Sequence, residues 1–130
     1  PIPSRLRDRL IDVSAFPDTN DLLLLSDVLI TDYSSIIYEF ALLRRPMIFF
    51  AFDLDVYSAT RGMHRDYPEV APGPIAADFS QLLSLLQSPD LSIEKTEAFL
   101  EENFDYIDTN NSDRVIDRLI LSEPNPSQVE

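Results

Sequence analysis

Apolar residues recur along this chain in two rhythms. Short runs rich in branched side chains predict strands, and longer stretches with three-to-four spacing predict helices. Residues 9–13 (Arg-Leu-Ile-Asp-Val) predict a first strand. A loop over residues 16–20 leads into a short leucine-rich helix over 20–26, with Thr19 or Asn20 as its cap. Residues 28–31 (Val-Leu-Ile-Thr) suit a short buried strand. Residues 34–44 carry helical spacing, with Ile36, Phe40 and Leu43 on one face. Residues 46–50 (Pro-Met-Ile-Phe-Phe) predict a further buried strand, opened by a proline that is tolerated at a first position.

Residues 51–74 hold both glycines and three prolines among many polar groups, and they predict a long irregular connection of the kind that carries function. A small strand is expected over 75–77, and a helix over 79–87 capped by Asp78. Two more helices are expected over 92–104 and 113–121, the last capped by Asn111 or Ser112. Alternation of this kind predicts an α/β fold: a Rossmann-like, doubly wound parallel sheet with flanking helices. Ligands of such sheets bind beyond the C-terminal ends of the strands. That rule selects residues 14–19, 31–35 and 51–74.

The length of 130 residues suits one domain, expected over 1–121, with the polar, proline-containing residues 122–130 as a flexible tail. The opening at Pro1 predicts a piece of a longer chain. No run of about 18 apolar residues is present to span a membrane as a helix. With no cysteine, disulfides and thiolate chemistry are excluded. The net charge of −13 is uneven: 7 basic against 10 acidic side chains over residues 1–66, and 3 against 13 over 67–130. Such a chain is unsuited to nucleic acid, because that binding rests on neutralising phosphates. An anionic membrane surface would repel it too.

The densest candidate chemistry is the turn Thr31-Asp32-Tyr33-Ser34-Ser35 between a buried strand and a helix. Amide groups and serine hydroxyls at a helix start favour a phosphate. Asp32 would repel one, so its expected roles are shaping the loop, accepting a hydroxyl or capping the helix. The alternative, in which Asp32 and Ser34 are only helix caps, stays open. The turn has no glycine, so it is neither a Walker loop nor a dinucleotide fingerprint. Glu39 stands four residues after Ser35 and shares its face, within reach of a ribose or simply facing solvent. In the long connection, Arg61 and Arg65 suit phosphate recognition or pairing with Asp53, Asp55 or Asp66. His64, the only histidine, is a weak candidate for acid–base work. No ligand spacing matches a metal loop, so neither a metal nor a cofactor is expected.

Residues 26–86 resemble the CDP-glycerol glycerophosphotransferase family, the enzymes that prime and polymerise the poly(glycerol phosphate) of teichoic acids. The matching pieces are Thr31 to Ser35, Arg45-Pro46 before a strand, Phe52-Asp53 with Tyr57, Arg61-Gly62, Asp66-Tyr67 and Pro72-Gly73-Pro74. The resemblance implies the C-terminal, nucleotide-binding half of a GT-B architecture. It implies that Ser34 and Ser35 hold the diphosphate of CDP-glycerol, that Thr31 and Asp32 shape the pocket, and that Arg61, followed by Gly62, offsets charge on the leaving group. The partners it implies are CDP-glycerol or CDP and a polymer acceptor met through another domain, with a cytoplasmic parent peripheral on the inner face of the cell membrane.

Two departures stand out. Met63, His64 and Arg65 replace the aromatic residues that the family has after Arg-Gly, and the His-Gly motifs that carry its catalytic histidines do not occur. The chain alone is therefore expected to bind nucleotide weakly without turnover. The competing expectations are the donor domain of a nucleotide-sugar glycosyltransferase or capsule polymerase, and a non-catalytic interaction module.

Overall fold

The layering follows from one strand that is apolar on both faces. In a computed structural model, which describes residues 2–62, 65–88 and 91–121, β2 (Met47–Phe50) lies between β1 (Leu29–Thr31) and β3 (Ile75–Ala76). Both pairings are parallel, with Ile30 opposite Ile48 and Phe49 opposite Ile75. Successive strand side chains point to opposite faces. Met47 and Phe49 therefore join one core, with Leu23, Phe40, Ala41, Phe99 and Leu100. Ile48 joins the other, with Ala76 and Leu82. Helices α1 (Thr19–Leu25), α2 (Ile36–Ala41) and α6 (Glu94–Asn103) contribute to the first core, and α5 (Phe79–Leu86) to the second. This is the expected α/β arrangement of a parallel sheet with flanking helices. As expected, Phe40 is buried in the core, with Ile36 and Leu43 packed against it.

The expected strand over 9–13 does not form. A short 3-10 turn (Ser4–Leu6) runs into further turns, with the Arg9 and Leu10 amides donating to the Leu6 carbonyl. The Asp12 carboxylate then accepts from the amide and hydroxyl of Ser14, which closes a local turn and holds the Asp12 carboxyl below the usual carboxylate range. Ile11 is 86% exposed, so no sheet edge is there to receive it. The expected site over 14–19 loses its strand end accordingly.

The connection over 51–74 is not irregular throughout. It contains α3 (Leu54–Arg61) and the single turn α4 (Tyr67–Val70). Polar residues and the flanking glycine and prolines mask a pattern that still permits helix. Several boundaries also move. The cap of α1 is Asp18, whose carboxylate accepts from the Asn20 amide, rather than Thr19 or Asn20. Helix α2 closes at Ala41, and Arg44 takes a left-handed backbone (φ 51°) that turns the chain into β2. The last helix, α7 (Asn111–Val115), begins at Asn111 and passes into a π-helical turn (Ile116–Ile120). Neither Asn111 nor Ser112 caps it; Asp108 instead accepts from the Asn110 amide. The cap of α5 is Asp78, as expected. Residues 122–130 lie outside the described residues.

Candidate functional site

A cavity of about 380 Å³ opens at the C-terminal end of β1. The turn before α2 supplies Asp32, Tyr33, Ser34 and Ser35, and α2 adds Tyr38. Helix α3 and its cap contribute Tyr57 and Gly62, and the α4 segment contributes Arg65 and Tyr67. Strand ends in a parallel sheet leave a concave edge where following loops diverge, which explains the location.

The two serines differ. The Ser34 hydroxyl oxygen accepts from the Ile36 amide at 3.3 Å and so caps α2. Ser35 occupies the N-cap position without capping, and its hydroxyl makes no hydrogen bond among the described residues. The capping alternative thus holds for Ser34 alone. Helix α2 has only six residues, so its dipole is small.

Tyrosines build the walls. The rings of Tyr33 and Tyr57 stack with centroids 3.7 Å apart, and Tyr67 lies 5.2 Å from Tyr33. The Tyr33 hydroxyl donates to Asp53 Oδ1 at 3.0 Å, and the Tyr67 hydroxyl donates to the Asp32 carbonyl at 2.6 Å. Burial pushes the Tyr33 hydroxyl up to about 12, helped by the carboxylate of Asp53. Burial likewise raises Tyr67, with Tyr33 and Asp32 adding to it. Both phenols stay protonated at neutral pH and serve as donors.

Of the residues singled out by sequence, Asp32, Ser34, Ser35 and Gly62 come together here. Thr31 ends β1 just behind them, while Glu39 and Arg61 are exposed and do not line the cavity. The cation at the cavity is Arg65, paired with Glu102 at 2.6 Å. That pair is exposed on both sides (60% and 56%), so it is weakly held. His64 lies outside the described residues. Among the described residues, no group of three or more His, Asp or Glu side chains is placed to hold a metal ion.

Two motifs prove structural. Arg45 donates to the carbonyls of Leu24 and Ser26 at 2.9 and 2.7 Å, satisfying the end of α1. The Pro72-Gly73-Pro74 turn is pressed onto β2, where a Cβ at Gly73 would stand 2.2 Å from the Met47 carbonyl oxygen. Sequence reading missed Tyr33 and Tyr38 as site residues. Tyr33 sat inside the quoted motif, but nothing in the spacing ties it to Tyr57 and Tyr67.

Comparison with known proteins bears on the whole chain. The family model described as CDP-Glycerol:Poly(glycerophosphate) glycerophosphotransferase matches residues 2–121. A teichoic acid poly(ribitol-phosphate) polymerase of Bacillus spizizenii is 40% identical over 94% of this chain and 20% of its own length. A teichoic acid glycerol-phosphate primase from the same organism is 45% identical over 70% of this chain and 24% of its own. A structure of the wall teichoic acid polymerase TagF with CDPG superposes with a TM-score of 0.72 at 36% identity, over 92% of this chain and 31% of that one. The chain thus spans about a fifth to a quarter of the curated relatives' lengths.

Proposed function

Because the chain belongs to the CDP-glycerol:poly(glycerophosphate) glycerophosphotransferase family, we propose that it is the donor-binding part of such an enzyme. The whole protein transfers glycerol phosphate from CDP-glycerol to a growing teichoic-acid-type polymer and releases CMP. An acceptor hydroxyl attacks the phosphorus of the glycerol phosphate, the bond to CMP breaks, and the hydroxyl proton passes to a base. With phosphate as leaving group, stabilising its charge is the main task.

The observation that carries the reading is the cavity itself, which the turn of Ser34 and Ser35, Gly62 and Arg65 line together with Tyr33, Tyr57 and Tyr67. In this reading the Ser35 hydroxyl and nearby amides hold the diphosphate. Arg65 leaves Glu102 to meet its charge, and Arg61 adds charge from the end of α3. Thr31 and Asp32 shape the pocket floor. The polymer acceptor meets another part of the enzyme. The enzyme works in the cytoplasm, peripheral to the inner face of the membrane; no helix of the described residues is long and apolar enough to cross one.

The test is titration of the isotope-labelled chain with CDP, CDP-glycerol, UDP and cytidine, followed by amide shifts. CDP and CDP-glycerol should shift the amides of residues 32–36 and 62, and cytidine should do so less. Ser35→Ala should weaken CDP and leave the fold intact. No shift from any of the four in a folded spectrum would overturn the assignment of the pocket. A second reading replaces glycerol phosphate by ribitol phosphate, favoured by the polymerase matched over 94% of the chain. Comparing CDP-glycerol with CDP-ribitol as donors for the full-length enzyme separates the two.

A further inference from the structure

Helix α3 buries none of its residues, so apolar packing gives it little hold on the sheet. One residue outside it supplies two attachments. The Tyr33 hydroxyl donates to Asp53 at 3.0 Å, and the Tyr33 ring stacks on Tyr57 with the planes 18° apart. Asp53 stands at the N-cap position of α3, where an aspartate ordinarily accepts from its own helix. Its carboxylate makes no such bond and is turned to a hydroxyl twenty residues away. Tyr33 also meets Tyr67, with ring centroids 5.2 Å apart, and Tyr67 is itself bonded to the Asp32 carbonyl.

We propose that Tyr33 is a positioning residue: through Asp53 and Tyr57 it latches α3 onto the turn between β1 and α2. The latch fixes the Tyr57–Gly62 side of the cavity relative to the Ser34–Ser35 side. Its effect on ligand affinity rests on the donor-site reading above; the latch itself does not. Tyr33 and Tyr57 line the cavity, whereas Asp53 does not. An effect of Asp53 on binding therefore passes through Tyr33 and separates positioning from direct contact.

The experiment compares Tyr33→Phe, Asp53→Ala, Asp53→Asn and the Tyr33→Phe/Asp53→Ala double variant with the unaltered chain. CDP affinity is measured together with hydrogen exchange of the amides of residues 54–62. Tyr33→Phe keeps the ring and loses the hydrogen bond; it and Asp53→Ala should each weaken CDP about five- to tenfold. The double variant should lose no more than either alone. Asp53→Asn removes the same charge as Asp53→Ala but keeps an acceptor oxygen, so it should bind CDP as well as the unaltered chain or better. Exchange over 54–62 should accelerate in Tyr33→Phe, Asp53→Ala and the double variant, and not in Asp53→Asn. Unchanged exchange in Tyr33→Phe, or Asp53→Asn behaving like Asp53→Ala, would overturn the latch. If the unaltered chain does not bind CDP, the donor-site reading falls, and the exchange data still decide the latch.

Discussion

The two glycines are required for different physical reasons. Gly62 ends α3 at φ 73° and ψ 154°, a region open almost only to glycine, with nothing within 4 Å of an added Cβ. Gly62→Ala should therefore cost about 1–3 kcal/mol from backbone strain alone. Asparagine, which tolerates the left-handed helical region, should not rescue it. A shift in the urea midpoint without a change in slope checks this. The tyrosines carry the second prediction at this scale. Tyr33 is held protonated in the fold to about pH 12, above the ordinary tyrosine value of about 10. Its stabilising contribution is complete below the unfolded value and is lost as pH rises through the folded one. Thermal stability should thus decline above about pH 10, and the decline should be shallower in Tyr33→Phe. With no tryptophan but five tyrosines present, the difference in tyrosinate absorbance between the unaltered chain and Tyr33→Phe follows this titration. The turn at residues 31–35 was legible as a site because serines before a helix carry a known chemistry. Its tyrosine walls were not legible, because Tyr33, Tyr57 and Tyr67 meet only through the fold.

Individual polar contacts, one of them fully buried, help to tie elements to one another. Thr96 on α6 is fully buried, and its hydroxyl donates to the carbonyl of buried Pro72 at 3.0 Å. Thr96→Val keeps the shape and leaves that carbonyl unsatisfied, so it should cost about 1–3 kcal/mol. Arg45→Ala also removes two hydrogen bonds, to Leu24 and Ser26 at the end of α1. Water can replace the exposed one, so Arg45→Ala should cost less than Thr96→Val in the same denaturation assay. The strand at 47–50 was readable because a parallel strand buried on both faces is a continuous apolar run. The strand at 29–31 forms too, but at the edge of the sheet with Ile30 44% exposed, so the expectation that it is buried does not hold. The run at 9–13 differs in carrying Arg9 and Asp12 among its apolar residues, and the Asp12–Ser14 turn competes with extension. Helix α3 escaped the reading because nothing on it is buried, so it leaves no apolar stripe to detect.

At the scale of the molecule, charge works against compactness. A net charge of −13 on 130 residues repels itself, and the exposed ion pairs Arg44–Glu97 and Arg65–Glu102 do little to offset it. Melting temperature should rise as ionic strength goes from about 0.01 M to about 0.15 M, while the screening length falls from about 30 Å to about 8 Å. A fall would mean that native ion pairs outweigh the repulsion. Against such a surface, the anion site proposed above would have to act locally, through hydroxyls, amides and Arg65.

The sequence by itself determined the alternation of parallel strands and helices, the turn that opens α2 and the family to which the chain belongs. These are local signals, written in periodicity, in caps and in the order of short motifs. Only the tertiary structure decided that Arg65 rather than Arg61 stands at the cavity, that Ser34 is a cap while Ser35 is free, and that Asp53 serves Tyr33 instead of its own helix. Asp53 and Tyr33 are twenty positions apart, and Arg65 pairs with a residue thirty-seven positions on. Which of several plausible partners a side chain takes depends on where packing of the sheet carries it, and that information is not local to any stretch of the chain.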